Sequence, residues 1–314
     1  MLERNLLWWL IGSSTVAFVW PRIAGGGFDP WVGSKPYLNL AIALVMFFVG
    51  CLLKWSDIVA IGRRWPAVVL GTVTQYTVMP LAAYLIGHAF QFPPDLLIGV
   101  VMVGCVPGAM ASNVITLSAG GNLSYSVALT TSSTFLSPVV VPLLLWLTLG
   151  ATHKVDMVQT GIMLVLQVVL PVLLGLGLCR VSAVFQRLAD RWAPSLANLM
   201  ILWVIATVVG LNRDRLGSVR ADVLVALLLI NVLGYIGGYW AGAAMRSDVP
   251  MRRTLAIEVG MQNCGLGTTL VLHLFPDYPA AAIPTAAYTF GCVLTASLLA
   301  RHWSRAPAVE VAPA

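Results

Sequence analysis

Apolar runs separated by short polar segments occupy nearly the whole chain. Charge-free or nearly charge-free stretches occur at residues 6–20, 36–53, 65–89, 96–119, 123–149, 157–179, 192–211, 223–245, 254–275 and 278–300. A helix needs about 20 apolar residues to cross the ~30 Å hydrocarbon core of a bilayer, and most of these runs reach that length. The first run is short and borrows flanking residues. The pattern predicts ten membrane-spanning helices. No charged residue occurs from Leu96 to Thr152, so the cut between the fourth and fifth runs rests on Gly120-Gly121-Asn122, a turn sequence.

Ten spans divide into five and five, and an odd number per half forces the halves into opposite orientations. The expectation is an all-α polytopic membrane protein of two inverted five-helix repeats, residues 1–150 and 151–303, followed by a disordered tail at 304–314. An internal echo supports the repeat. The fourth run is interrupted by Pro107-Gly108-Ala109-Met110-Ala111-Ser112-Asn113, and the ninth by Gly260-Met261-Gln262-Asn263-Cys264-Gly265. The third run of each half carries a buried amide, Gln75 and Asn231. Glycine and asparagine favour unwound backbone, so the fourth and ninth helices are expected to be discontinuous and to cross at their breaks. Unwound backbone cannot face lipid, which forces the two breaks to cover one another in the interior.

Composition agrees with this class. The chain is 59% hydrophobic and 10% charged, with a mean hydropathy of +0.89, values outside the range of soluble domains. Its net charge of +6 is strung out between apolar runs, which points to topology and not to nucleic acid. With the N-terminus inside, Arg4, Lys54, Arg63, Arg64, Arg180, Arg187, Arg191, Arg246, Arg252, Arg253, Arg301 and Arg305 lie on the cytoplasmic side. Arg22, Lys35, Lys154, Arg213, Arg215 and Arg220 lie opposite. Twelve against six favours both termini in the cytoplasm of a multi-pass protein of the bacterial inner membrane. The first run lacks a signal-peptide exit and is expected to be retained. Tryptophans such as Trp8, Trp9, Trp20, Trp55 and Trp65 are expected to anchor at the bilayer interface. Five scattered cysteines support neither a disulfide framework nor a zinc motif.

Of the twelve carboxylates, Glu258 alone falls well inside an apolar run. A charge there costs roughly 2.5–3.5 kcal/mol on insertion scales, so it persists where something compensates it. Arg252 and Arg253 lie six and five residues back and could pair with it at the rim. The sharper alternative is a cation site, built from Glu258, Gln262, Ser112, Asn113 and freed carbonyls, because a small hard cation takes several oxygen ligands. Helix N-termini at the same crossing would attract an anion. Ser126 and Thr130, four apart, share a helix face and add two hydroxyls if that face meets the crossing. His88, His153, His273 and His302 do not cluster, and an intramembrane enzyme would need further acids or a nucleophile–base pair beside Glu258. A proton-coupled carrier using Glu258 as the titrating group is the competing reading.

Gln75-Tyr76 with Met79-Pro80-Leu81, Pro107-Gly108, Ala111-Ser112-Asn113-Val114, Ser126-Val127 with Thr130, and Ile257-Glu258-Val259-Gly260-Met261-Gln262-Asn263 together carry a family likeness. The chain resembles the bile acid/sodium symporter family, including its bacterial members, over nearly its whole length. The resemblance implies ten helices in a panel and a core domain, and sodium-coupled symport of an organic anion by alternating access. It implies one sodium ion held by Ser112, Asn113, Ser126, Thr130 and Glu258. A second would be held by Gln75, Glu258, Gln262 and the carbonyls of Val259 and Met261. Substrate would lie near Met110, Ala111 and Asn263, either bile-acid-like or a small carboxylate such as pantoate. Met110 stands where many relatives carry Thr, which alters the substrate side. Cys292-Val293 stands near the place of a polar His-Asn pair in some bacterial relatives.

Overall fold

A computed structural model describes residues 6–25, 27–53, 62, 65–150, 153–216 and 221–305. Among these the chain is helical. The principal helices are α1 (Leu6–Ile23), α2 (Leu38–Leu52), α3 (Trp65–Ala89), α4 (Pro94–Cys105), α5 (Ala111–Ser118) and α6 (Leu123–Leu149). They continue with α7 (Met157–Val181), α8 (Ala183–Leu211), α9 (Ala221–Ala244), α10 (Val249–Gly260), α11 (Cys264–Leu274) and α12 (Ala282–Arg305). Seven stretches are long and apolar enough to cross a bilayer: Lys35–Leu52, Trp65–Ala89, Leu123–Leu149, Met157–Val181, Ala183–Leu211, Ala221–Ala244 and Pro279–Ser304. Their outer faces display large apolar side chains, such as Val69, Val73, Leu81 and Leu85 on α3 and Leu224, Leu228 and Ile236 on α9. Apolar faces on that scale need lipid, and the chain is a multi-pass membrane protein.

The polar residues between runs start the helices. Asp156, Ser182, Asp248 and Asn122 each accept a backbone N–H from the first turn of α7, α8, α10 and α6, satisfying donors that lipid cannot. Helix limits therefore differ from hydropathy limits. The seventh run begins at Trp192, yet α8 begins at Ala183 because Ser182 caps it. The ninth begins at Thr254, yet α10 begins at Val249 behind Asp248. Asn122 confirms the cut placed at Gly120-Gly121-Asn122, with Gly120 at φ +67° in the turn. In α7 a π-helical stretch, Val165–Val169, precedes Pro171, whose missing N–H breaks the regular ladder. Ser304 and Arg305, placed in the tail by the sequence, continue α12. Residues 306–314 lie outside the described residues, as do Arg4, Lys54, Trp55, Arg63, Arg64 and Arg220.

One tryptophan expectation changes. Trp8, Trp9 and Trp65 are exposed as interfacial anchors should be. Trp20, by contrast, donates its indole N–H to the Phe28 carbonyl (3.1 Å) and meets Trp31 edge-on. Trp31 in turn packs on Trp203, with ring centroids 4.5 Å apart. Arg213, one of the arginines on the face opposite the majority, is also accounted for. Its guanidinium pairs with Asp29 and donates to the Ala17 carbonyl (2.7 Å), tying α8 to α1 and the following loop. Burial pushes the Asp29 carboxyl up, but hydrogen bonds from Arg213 and the N–H groups of Val32 and Trp31 outweigh it and hold the group below its ordinary value.

Removing the guanidinium in Arg213→Gln is expected to cost on the order of 1–2 kcal/mol, between an exposed and a buried pair. The exposed Arg22→Gln should leave the melting temperature unchanged. Because the Asp29 value is lowered, the pair's contribution is present at neutral pH and fades as pH falls through the carboxylate range. Thermal unfolding of both variants against pH checks this.

Candidate functional site

The fourth and ninth apolar runs are each two helices. α4 ends at Cys105 and α5 starts at Ala111; α10 ends at Gly260 and α11 starts at Cys264. The two interruptions lie against each other as a short antiparallel pair centred on Gly108 and Gln262. Ala109 donates its N–H to the Met261 carbonyl (3.0 Å), and Asn263 donates to the Pro107 carbonyl (2.8 Å). Each break thus satisfies the other's backbone, which is what allows non-helical chain in the interior of a membrane protein. Two helix N-termini (α5, α11) and two C-termini (α4, α10) converge here, so partial charges of both signs meet at one point.

Glu258, in the last turn of α10, is fully buried. Its Oε2 accepts from Ser112 Oγ (2.6 Å) and Ser126 Oγ (3.1 Å), and its Oε1 accepts from Thr130 Oγ1. Ser112 comes from the first turn of α5, while Ser126 and Thr130 stand one turn apart on α6. Neither arginine expected at the rim reaches it. Arg252 donates to the Ser247 carbonyl (2.7 Å). Arg253 donates to the Ala119 carbonyl (3.1 Å) and lies over the Trp303 ring. The single ion pair among the described residues is Arg213–Asp29. Hydrogen bonds to a charged group contribute about 1.5–3 kcal/mol each. Three of them offset the desolvation of a carboxylate but supply no countercharge.

Around this carboxylate the amides are unsatisfied. Both side-chain poles of Gln75, on α3, are buried without a partner, as are Gln262 Oε1 and Asn113 Oδ1. Glu258 and Gln75 come together at Gly108. A Cβ built there would lie 2.5 Å from Glu258 Oε1 and 3.3 Å from Gln75 Nε2, so the residue is glycine because a side chain would occupy the site. Gln262 Nε2 donates to the Val259 carbonyl (2.7 Å), leaving its oxygen free. The Met261 carbonyl takes one N–H and keeps a second lone pair. The oxygen set is therefore one carboxylate, three hydroxyls, unsatisfied amides and two partly used carbonyls, which suits a hard monovalent or divalent cation. Two of the hydroxyls have alternative acceptors. Thr130 can donate to the Ser126 carbonyl (3.1 Å) and Ser126 to Thr116 Oγ1 (3.4 Å), so each can turn a lone pair towards a cation.

Every sequence-selected residue falls at this crossing or on the cavity beside it. The cavity, about 370 Å³, is lined by Met110, Ala111, Asn113, Gln262 and Asn263 at the crossing, and by Cys292 and Val293 of α12. Its far wall is almost wholly apolar, from α2 and α8. Met110 contacts the Asn113 amide through sulfur at 3.9 Å, and Asn263 caps α11 by accepting from the Leu266 N–H (3.2 Å). Gln75 and Asn231 are both buried, as expected of the matching third runs, but Asn231 is hydrogen-bonded where Gln75 is open: it donates to the Gly260 carbonyl (2.9 Å) and the Tyr288 hydroxyl (3.1 Å) and accepts from Thr295. Tyr288 also donates to the Gly260 carbonyl (2.8 Å), fixing the end of α10, and nothing in the sequence signalled it. Thr116 and Thr254 were also missed, although each lies one turn from Ser112 or Glu258, the i,i+4 spacing that marks a shared face.

The profile of the sodium bile acid symporter family matches residues 39–219. The sodium-dependent transporter YocS of Bacillus subtilis is 33% identical over 297 residues, covering 95% of this chain and 90% of that protein. The probable chloroplast sodium/metabolite cotransporter BASS1 of Arabidopsis thaliana is 31% identical over 276 residues, 88% of this chain and 68% of that protein. Human sodium/bile acid cotransporter 4 is 28% identical over 253 residues, which cover 78% of this chain and 57% of the human protein. With more than half of its length matched and relatives aligned across most of the remainder, the chain belongs to the sodium bile acid symporter family.

Proposed function

We propose that the chain is a sodium-coupled symporter of an organic anion, working by alternating access in a bacterial inner membrane with both termini cytoplasmic. Ten spans in two inverted repeats, residues 1–150 and 151–303, would form a panel and a core domain, the core carrying the crossed helices. The observation that carries the coupling is the set of unpartnered amide oxygens at the same crossing as a buried carboxylate. Protonating Glu258 would remove the charge, but it would leave the oxygens Gln75 Oε1, Gln262 Oε1 and Asn113 Oδ1 unsatisfied, each costing about 1–3 kcal/mol. A bound cation satisfies charge and amide oxygens together. That favours sodium over the proton-coupled reading of Glu258.

Two ions are proposed. Ser112, Asn113, Ser126, Thr130 and Glu258 would hold one. Gln75, Glu258, Gln262 and the carbonyls of Val259 and Met261 would hold the other. The anion would sit in the cavity by Met110, Ala111 and Asn263, its carboxylate towards the N-termini of α5 and α11, its body against the apolar wall of α2 and α8. That wall favours a carboxylate with a substantial apolar portion, bile-acid-like or smaller. Filling the cation sites would pull the two breaks into one geometry and complete the anion site, after which the domains rock about the crossing.

Two sodium ions entering with a monoanion move one net positive charge. A 100 mV potential then contributes about 2.3 kcal/mol per cycle. Uptake of organic anions into proteoliposomes should follow an inward sodium gradient and rise with an inside-negative potential. Uptake that follows a pH gradient and ignores sodium would establish the proton-coupled alternative instead. At the site itself, Gly108→Ala places a methyl against Glu258 Oε1 and should weaken sodium-dependent thermal stabilisation by at least about tenfold in concentration, with the protein still folded in potassium.

A further inference from the structure

We propose that Thr254 is a positioning residue for the cation site, setting the height of α6 against α10 so that Ser126 and Thr130 meet Glu258. The inference rests on reading Glu258 as the cation carboxylate. Thr254 is fully buried one turn before Glu258 on α10. Its Oγ1 accepts the N–H of Asn122 (2.8 Å) and donates to the Pro250 carbonyl (2.8 Å). Asn122 is the residue that caps α6 through the Tyr125 N–H (3.0 Å). The two helices are therefore joined by rungs at matching intervals: Thr254 to Asn122, then Glu258 to Ser126, four residues on in each chain segment. Four residues rise about 6 Å in any α-helix, so fixing the lower rung fixes the upper.

The neighbouring contacts show how closely the turn is held. A Cβ at Gly121 would meet Thr254 Oγ1 at 2.8 Å and Thr116 Cγ2 at 2.7 Å. Arg253 donates to the Ala119 carbonyl in the same turn. That turn also ends α5, the helix that supplies Ser112. Thr254 and Arg253 thus clasp, from α10, the junction of the two helices that donate all three hydroxyls to Glu258. Thr254 itself makes no hydrogen bond to the carboxylate; it acts through the placement of α6.

The test is the sodium concentration giving half-maximal thermal stabilisation, at constant ionic strength balanced with potassium, for wild type, Thr254→Val, Thr254→Ala and Thr254→Ser. Valine keeps the shape but loses the acceptor; alanine loses it without adding bulk. Both should raise the half-saturating sodium concentration about tenfold, the scale of outer-shell losses at metal sites. Serine should restore it, and maximal uptake at saturating sodium should recover in all three. A merely structural threonine would lower the melting temperature in potassium and leave the sodium dependence unmoved. That result, or equal shifts in valine and serine variants, overturns the proposal. Absence of sodium stabilisation in the wild type would instead refute the reading of Glu258 on which it depends.

Discussion

The carboxylate of Glu258 is buried with three hydroxyl donors and no cationic side chain bonded to it. Hydroxyls reduce the cost of that burial but cannot cancel the charge, and the surrounding architecture follows from this one imbalance. A charge that needs a mobile partner also needs oxygens to receive it. Continuous helices offer few, since their carbonyls are spent internally. Breaking α4/α5 and α10/α11 at one point frees carbonyls and amides where the charge lies.

Freed backbone is itself a liability in a membrane. The pairing of Ala109 with Met261 and of Asn263 with Pro107 answers that liability with two interstrand bonds, and Asn231 with Tyr288 satisfies the Gly260 carbonyl. The buried side-chain groups without a partner at the crossing belong to Gln75, Gln262 and Asn113. The crossing thus pairs backbone groups of the two breaks with one another, with lone pairs to spare on the carbonyls, and leaves side-chain amides open. Gly108 keeps that space free. The adjoining cavity is lined by Asn113 and Gln262, which belong also to the oxygen set of the crossing, so occupants of the two proposed sites would meet through two amides.

Much of this was legible in the chain. Glu258 stood out because hydrocarbon penalises charge, and the Pro-Gly and Gly-rich interruptions stood out because they are poor helix formers. Helical spacing put Ser126 and Thr130 on one face, the family resemblance assigned that face to the crossing, and two glycines and an asparagine marked the end of the fourth run. Helix starts were misjudged at Ala183 and Val249 because hydropathy marks the bilayer whereas caps mark the helix. Asn231 looked equivalent to Gln75 by position alone; which amide is closed depends on a tyrosine from a distant helix, Tyr288, which no local pattern brings near. Trp20 and Trp31 were read as surface anchors or passed over, since aromatic residues near run ends carry no signal for stacking across helices.

The coupling of charge and cation is tested most directly by equilibrium binding of radioactive sodium to the purified protein in detergent, with Glu258→Gln alongside. The near-isosteric amide removes the charge and keeps the side chain's shape, at the cost of one acceptor, since its nitrogen donates. Saturable binding in the wild type that potassium does not displace, and its loss in the variant, is the predicted result. Absent saturable binding, or binding that survives the substitution, would contradict the account.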